Sequence, residues 1–338
     1  MDEEPVPPPS LPAGAAIELR GWHTEDTDVA RLFANRLMAL TSDYSRWLDL
    51  SRLSRIILSY DYRAALAEVQ GVGGQPNIAT SNEFGDGAAM AVLTEVDGEL
   101  KSVLVVWTPL IVRMFDEEDS LEKRISVQSY VHELVHVDDQ AFLDKTYPGG
   151  ASAMRQRDER HGALLGIVAP AHAEFSATSR TANMEPTTGF EFVGLLKKAI
   201  LDVIADVRLQ RRLYRVGTLK LEGFWFWIEE RCRFIFQSLG YALGHAHGIL
   251  ESDDADEEIK ERYRAAVGEI EGMELGWLVS ETRSALRPLA LQAQWTGLEV
   301  FDPLIGVAER LLNTFGVFTR LENDVLYVDI PLTGWNDF

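Results

Sequence analysis

The chain has a single cysteine, Cys232, in 338 residues. An internal disulfide is excluded, which fits a reducing compartment. Cys232 falls in an aromatic-rich helical pattern, where a thiol acts as a small apolar core residue. Positive charge is scarce too: 32 Lys and Arg stand against 53 Asp and Glu, a net charge of −21. That argues against a nucleic-acid partner or an anionic membrane surface, because both need clustered basic groups. No apolar run is long enough to span a bilayer; the run 224–228 is followed at once by Glu229 and Glu230. Residues 1–13 are acidic and Pro-rich, without the basic start and apolar centre of a signal peptide. These absences predict a soluble, cytoplasmic protein with a solubilising acidic surface.

Histidine is also rare, with seven in the chain. Two of them stand four apart in Val131-His132-Glu133-Leu134-Val135-His136-Val137. A chance His-Glu-x-x-His in a chain of this composition is expected on the order of 1% of the time. The stretch 121–142 has no Pro or Gly, and its apolar residues recur near helical spacing: Ile125, Val127, Tyr130, Val131, Leu134 and Val135. Asp119 or Ser120 can cap its start, and the acidic cluster 116–118 suits the positive end of the helix dipole. On a helix, residues four apart share a face. His132 and His136 can then bind one metal ion without bending the backbone. Glu133, one step round, can reach a water on that metal, as a general base must.

The pattern elsewhere predicts a disordered leader over 1–15 and a helix over 24–50. A short β-rich run follows at 54–62, and 64–69 reads as a helical turn. The segment 71–87 is rich in Gly, Asn and Ser and reads as a loop; it lacks the Lys-Ser/Thr of a phosphate site. Strands at 88–96 and 101–112 are joined through Asp97-Gly98, a hairpin signal. After 121–142, the run 147–151 breaks the chain, and 153–160 is a polar loop or short surface helix. Pro170 then suits the first turn of a helix running to about 182. Helical patterns follow at 190–214, 220–250, 255–272, 277–286 and 303–315, separated by breakers that include Gly217, Gly276 and Pro288. Two short strands around Asn323-Asp324 close the chain.

In His132, Glu133 and His136 the sequence resembles the zinc metallopeptidases, or zincins. The resemblance covers about 88–182. Together with the element pattern it implies an α+β fold: a zincin-like catalytic domain with a small antiparallel or mixed sheet and the His-Glu-x-x-His helix, then a mostly helical C-terminal region. The expected limits are 16–187 for the catalytic domain and 188–338 for the helical region. The family also places a sheet edge next to the site, where a substrate backbone pairs as an extra strand. Val103–Thr108 is the expected edge; an interior core strand is the other reading.

Zinc held by two histidines needs a third protein ligand and an open position for water. Phe142 stands where a third histidine would complete a metzincin pattern. A glutamate on a following helix is the gluzincin pattern, and Glu174 is the leading candidate. The alternatives are His172, His161, Glu159 and Asp139. His172 lies two residues from Glu174, so on a helix the two point to nearly opposite sides. His161 reads as a surface loop residue. Asp139, three residues past His136, can orient an imidazole through its second nitrogen. Tyr241, His245 and Arg180 are candidate donors to a transition-state oxyanion, with Tyr147 and His247 behind them. His245 and His247 form a poor chelate, because residues two apart diverge on a helix.

The functional expectation is a zinc-dependent metallopeptidase with Zn2+ on His132, His136 and Glu174, and Glu133 as general base. Its substrate would be a protein or peptide. The alternative is a catalytically silent zincin scaffold, a regulatory module that binds a protein partner through the helical region.

Overall fold

A computed structural model describes all residues except 1–5, 23–26, 75, 76, 78–80, 83, 84, 148, 149, 292–294, 296 and 332–338. The first residues of the expected leader, the Thr24 start of the first helix, Pro148-Gly149 and much of the 71–87 loop lie outside the described residues. The fold is α+β, with a small mixed sheet and a helical C-terminal region. The chain divides into two compact units, Met1–Lys145 and Thr146–Phe338.

The first unit runs β1 (Ala16–Arg20), α1 (Thr27–Tyr44), β2 (Leu53–Ser59) and α2 (Tyr62–Glu68), then two-residue strands β3 (Ser81–Asn82) and β4 (Gly85–Asp86). It continues with β5 (Ala89–Val96), β6 (Glu99–Trp107), the short α3 (Thr108–Ile111) and the long α4 (Leu121–Thr146). The main sheet has the order β1-β2-β6-β5. β1 and β6 pair parallel to β2, and β5 returns antiparallel along β6. The hairpin turn is at Asp97-Gly98, both with positive φ (54° and 80°), as a two-residue turn matching the strand twist requires. β1 was not expected, although Ile17 and Leu19 alternate with Glu18 and Arg20 at strand period.

Strand order corrects one expectation. Val103–Thr108 is not an edge: β6 is hydrogen-bonded on both sides, to β2 and to β5. Val103, Leu104, Val105 and Val106 are buried, the pattern of a strand covered on both faces. Pro109 starts α3 instead of ending an exposed strand. The edges of this sheet are β1 and β5. Part of the Pro-rich leader is also held in place: the Ser10 hydroxyl donates to the carbonyls of Ser45 and Leu48, and Arg46 donates to the Pro7 carbonyl.

The second unit is built from α5 (Glu159–Thr181), α6 (Gly189–Arg215), α7 (Leu221–Leu250), α8 (Glu257–Glu271), α9 (Trp277–Leu291) and α10 (Asp302–Thr314). The hairpin β7 (Phe318–Glu322) and β8 (Val325–Asp329) follows, turning at Asn323-Asp324 with φ of 52° and 62°. α5 begins eleven residues before the expected Pro170 start. Asp158 caps it, accepting from the His161 N–H at 2.7 Å. Pro170 sits inside, and the residue four before it, where its ring crowds the backbone, is Gly166, which has no side chain to obstruct a bend. α9 likewise continues three residues past Pro288. Cys232 is fully buried on α7, as its apolar setting predicts. Among the described residues no helix is long and apolar enough to cross a membrane.

The α5–α7 pair is unusually close. Gly240, Gly244 and Gly248 recur every fourth residue on α7. A Cβ on Gly244 would stand 2.6 Å from the Phe175 carbonyl oxygen, and one on Gly248 2.2 Å from that of Ser179. Glycine is used here for backbone approach: one glycine stripe lets two helices pack at main-chain distance.

Candidate metal centre

α4 presents two faces. Tyr130, Leu134, Val137 and Ala141 form one fully buried stripe, at spacings of four, three and four. Burying side chains of that size contributes about 1.5–3 kcal/mol for each of the larger ones. Polar anchors fix the helix's rotation. The Tyr130 and Thr41 hydroxyls bond at 2.6 Å. Gln140 accepts from Ser102 on β6 at 2.6 Å and donates to the Ala91 carbonyl on β5 at 3.1 Å. Asp138 accepts from the Asp49 N–H at 2.6 Å. With that side packed, His132, Glu133 and His136 are left half-buried on the flank.

His136 Nε2 lies 3.1 Å from His132 Nε2, and the two rings cross at 87°. Two bare nitrogen lone pairs this close repel, so the pair requires a shared proton or a cation. A tetrahedral metal with bonds of 2.0–2.1 Å to imidazole places two such nitrogens about 3.3 Å apart. Glu133 lies beside Tyr62 at the start of α2. Burial, and then the Glu133 charge, push the Tyr62 phenol well above its ordinary range. The Tyr62 hydroxyl is buried and has no hydrogen-bond partner among the described residues. The sequence reading did not single out Tyr62; its only signal was Asp61, which caps α2.

Glu174 is a buried carboxylate, 8% exposed, on α5. It accepts from Gln237 Nε2 of α7 at 2.9 Å. Gln237 was not foreseen. Its position three residues ahead of Gly240, where α7 closes on α5, was the available signal. One ligand atom from each of His132, His136 and Glu174 lies within 4.8 Å of the other two. Two imidazole nitrogens and a carboxylate suit a divalent first-row metal, so the donor set fits such an ion.

The alternative ligands are engaged elsewhere. His172 packs its ring edge-on against Trp295 and Phe301, with centroids 5.4 and 5.7 Å away, and burial pushes it down to about 4. His161 is not a surface loop residue; it is 3% exposed in the first turn of α5, with Nε2 3.7 Å from an Asp302 oxygen. Glu159 accepts from the Leu326 N–H at 3.0 Å. Asp139 is half-buried on α4, one turn beyond His136. Of the candidate donors, Tyr241 leans on the Phe192 ring at 5.0 Å, and Arg180 sits in the last turn of α5. His247 stacks on Phe175 at 5.3 Å.

His245 is fully buried, with Nδ1 3.1 Å from the Tyr263 hydroxyl, which donates to the Pro186 carbonyl at 2.7 Å. Burial drives His245 down to about 4, against a smaller upward push from its bond to the Glu185 backbone. An unfolded histidine titrates near 6.5. Between these values the unfolded chain takes up a proton that the folded one refuses. The contribution of His245 is therefore complete above about pH 6.5 and is lost as pH falls toward 4, by about 3 kcal/mol over that window. Urea unfolding at pH 7.5 and pH 4.5 checks this: His245→Gln should remove most of that loss. An unchanged pH slope in the variant would show that other groups carry it.

No protein-family model matches the chain, and the searches found no matching curated protein or solved structure.

Proposed function

We propose that the chain is a zinc-dependent metallopeptidase of the zincin type, closest in ligand set to the gluzincins. The observation that carries this reading is the grouping of His132, His136 and Glu174 with their ligand atoms within 4.8 Å, and Glu133 adjacent on the same helix. Zinc in a site of this composition brings the pKa of a water toward neutrality and polarises the scissile carbonyl.

The chain's own residues do the rest. His132 and His136 offer Nε2 from successive turns of a helix clamped to its sheet. Gln237 donates to one Glu174 oxygen and so helps hold the carboxylate in one orientation. Asp139 orients the His136 imidazole. Glu133 takes a proton from the attacking water and returns it to the leaving amine. Tyr241 and Arg180 are the donors this reading assigns to the developing oxyanion, because the Nδ1 of His245 is already shared with Tyr263. A protein or peptide substrate and a cytoplasmic setting belong to the same proposal.

Metal content of the purified protein tests the reading, with wild type beside His132→Ala and Glu174→Ala. About one zinc per chain in wild type, lost in both variants, is the expected result. Zinc lost only in His132→Ala would move the third ligand away from Glu174. No zinc after reconstitution would remove the enzyme reading and leave a binding or regulatory module.

A further inference from the structure

The helical unit contains a cavity of about 540 Å³ among α5, α7, α8 and α9. Small-molecule sites span roughly 300–1,000 Å³. Its floor is apolar, with Phe175, Leu243 and Val267. Its rim carries three arginines against two glutamates, a positive excess in a chain of net charge −21.

The rim charges are not equivalent. Arg283 holds Glu271 at 2.9 Å, and Arg264 holds Glu257 at 2.8 Å and also Glu261. Those two arginines are occupied. Arg287 stands one turn beyond Arg283 on the same face of α9 and enters no ion pair among the described residues. A cation ligand would meet only Glu251 unpaired, with Arg287 and His247 on the same rim.

Gly268 adds an independent observation. It lies inside α8, where glycine weakens a helix relative to alanine. Its φ is not positive, and a Cβ there would meet nothing within 4 Å. Neither backbone conformation nor helix packing calls for a glycine, in contrast to Gly240, Gly244 and Gly248. Gly268 lines the cavity, and a longer side chain there would border that space.

We propose that this pocket binds an amphipathic organic monoanion, a small carboxylate with an apolar body, the body on the Phe175–Val267 floor and the carboxylate at Arg287. The proposal does not depend on the metal site. Isothermal titration of the full chain with decanoate tests it, with decanol as the uncharged counterpart. One saturable decanoate site per chain is expected, with decanol at least tenfold weaker. Arg287→Glu, a change at an exposed position, should weaken decanoate at least tenfold without moving the ligand-free melting temperature. Gly268→Leu should narrow the cavity and weaken uptake at least tenfold while keeping the helical circular dichroism; if it fails to fold, Arg287→Glu decides alone. No saturable uptake, equal binding of decanol, or wild-type affinity in Arg287→Glu would overturn the proposal.

Discussion

Under the proposed function, Glu133→Gln is expected to keep zinc and lose peptide hydrolysis, by roughly 10²–10⁴-fold in kcat, the range for removing a positioned general base. The argument starts from the helix. His132 and His136 use the spacing of four to converge, with Nε2 atoms 3.1 Å apart. Glu133, one residue on from His132, is rotated by about 100° from it on a helix of 3.6 residues per turn. That rotation keeps it off the face His132 and His136 share, and the proposed function gives it the attacking water and not the ion. Glutamine preserves the shape but cannot accept the proton. Zinc content and hydrolysis of a quenched-fluorescent peptide library should be measured on the same preparation. A zinc-loaded variant that retains turnover within a few-fold of wild type would remove Glu133 from the base role. Parallel loss of zinc and activity would show a structural defect instead.

The second large effect is on stability. Gly244→Leu should destabilise the protein by about 3 kcal/mol or more. Two tendencies oppose each other at this site. Replacing a mid-helix glycine favours the helix by up to about 1 kcal/mol. But the first added carbon would stand 2.2 Å from Thr178 Oγ1 and 2.6 Å from the Phe175 carbonyl oxygen, and the second of these is backbone. Thr178 cannot turn away freely, since its hydroxyl donates to the Glu174 carbonyl at 2.6 Å. The two helices must separate, so the clash wins. Gly194→Ala on α6 is the control: a Cβ there meets nothing within 4 Å, so only the helix gain remains, about 0.5–1 kcal/mol. Thermal or urea unfolding of both variants checks the pair. If Gly244→Leu is as stable as wild type, close α5–α7 packing is not what the glycines serve. α7 also supplies Gln237 to Glu174, so if the proposed zinc site is right, a folded but loosened variant should bind zinc more weakly.

Local features were readable from the residues alone. α4 followed from a stretch free of Pro and Gly with apolar residues at helical spacing, and the facing of His132 and His136 followed from a spacing of four. The β5–β6 and β7–β8 hairpins followed from Asp97-Gly98 and Asn323-Asp324, whose residues adopt positive φ. Each of these depends on a few consecutive residues, so a short window contains its cause. The tertiary structure decided what depends on distant partners. β6 became an interior strand because β2, more than forty residues earlier, pairs along its other side. Pro170 did not start a helix, because Asp158 had capped one about three turns before it. His172 and Glu174 sit two residues apart on one helix; the residues favoured Glu174 through the gluzincin pattern but left His172 as an alternative. Trp295 and Phe301 take the imidazole, while Gln237 holds the carboxylate. Hydrogen bonds and ring contacts across 60 to 130 residues carry no periodic trace in the chain, which is why only the folded structure could assign those two side chains.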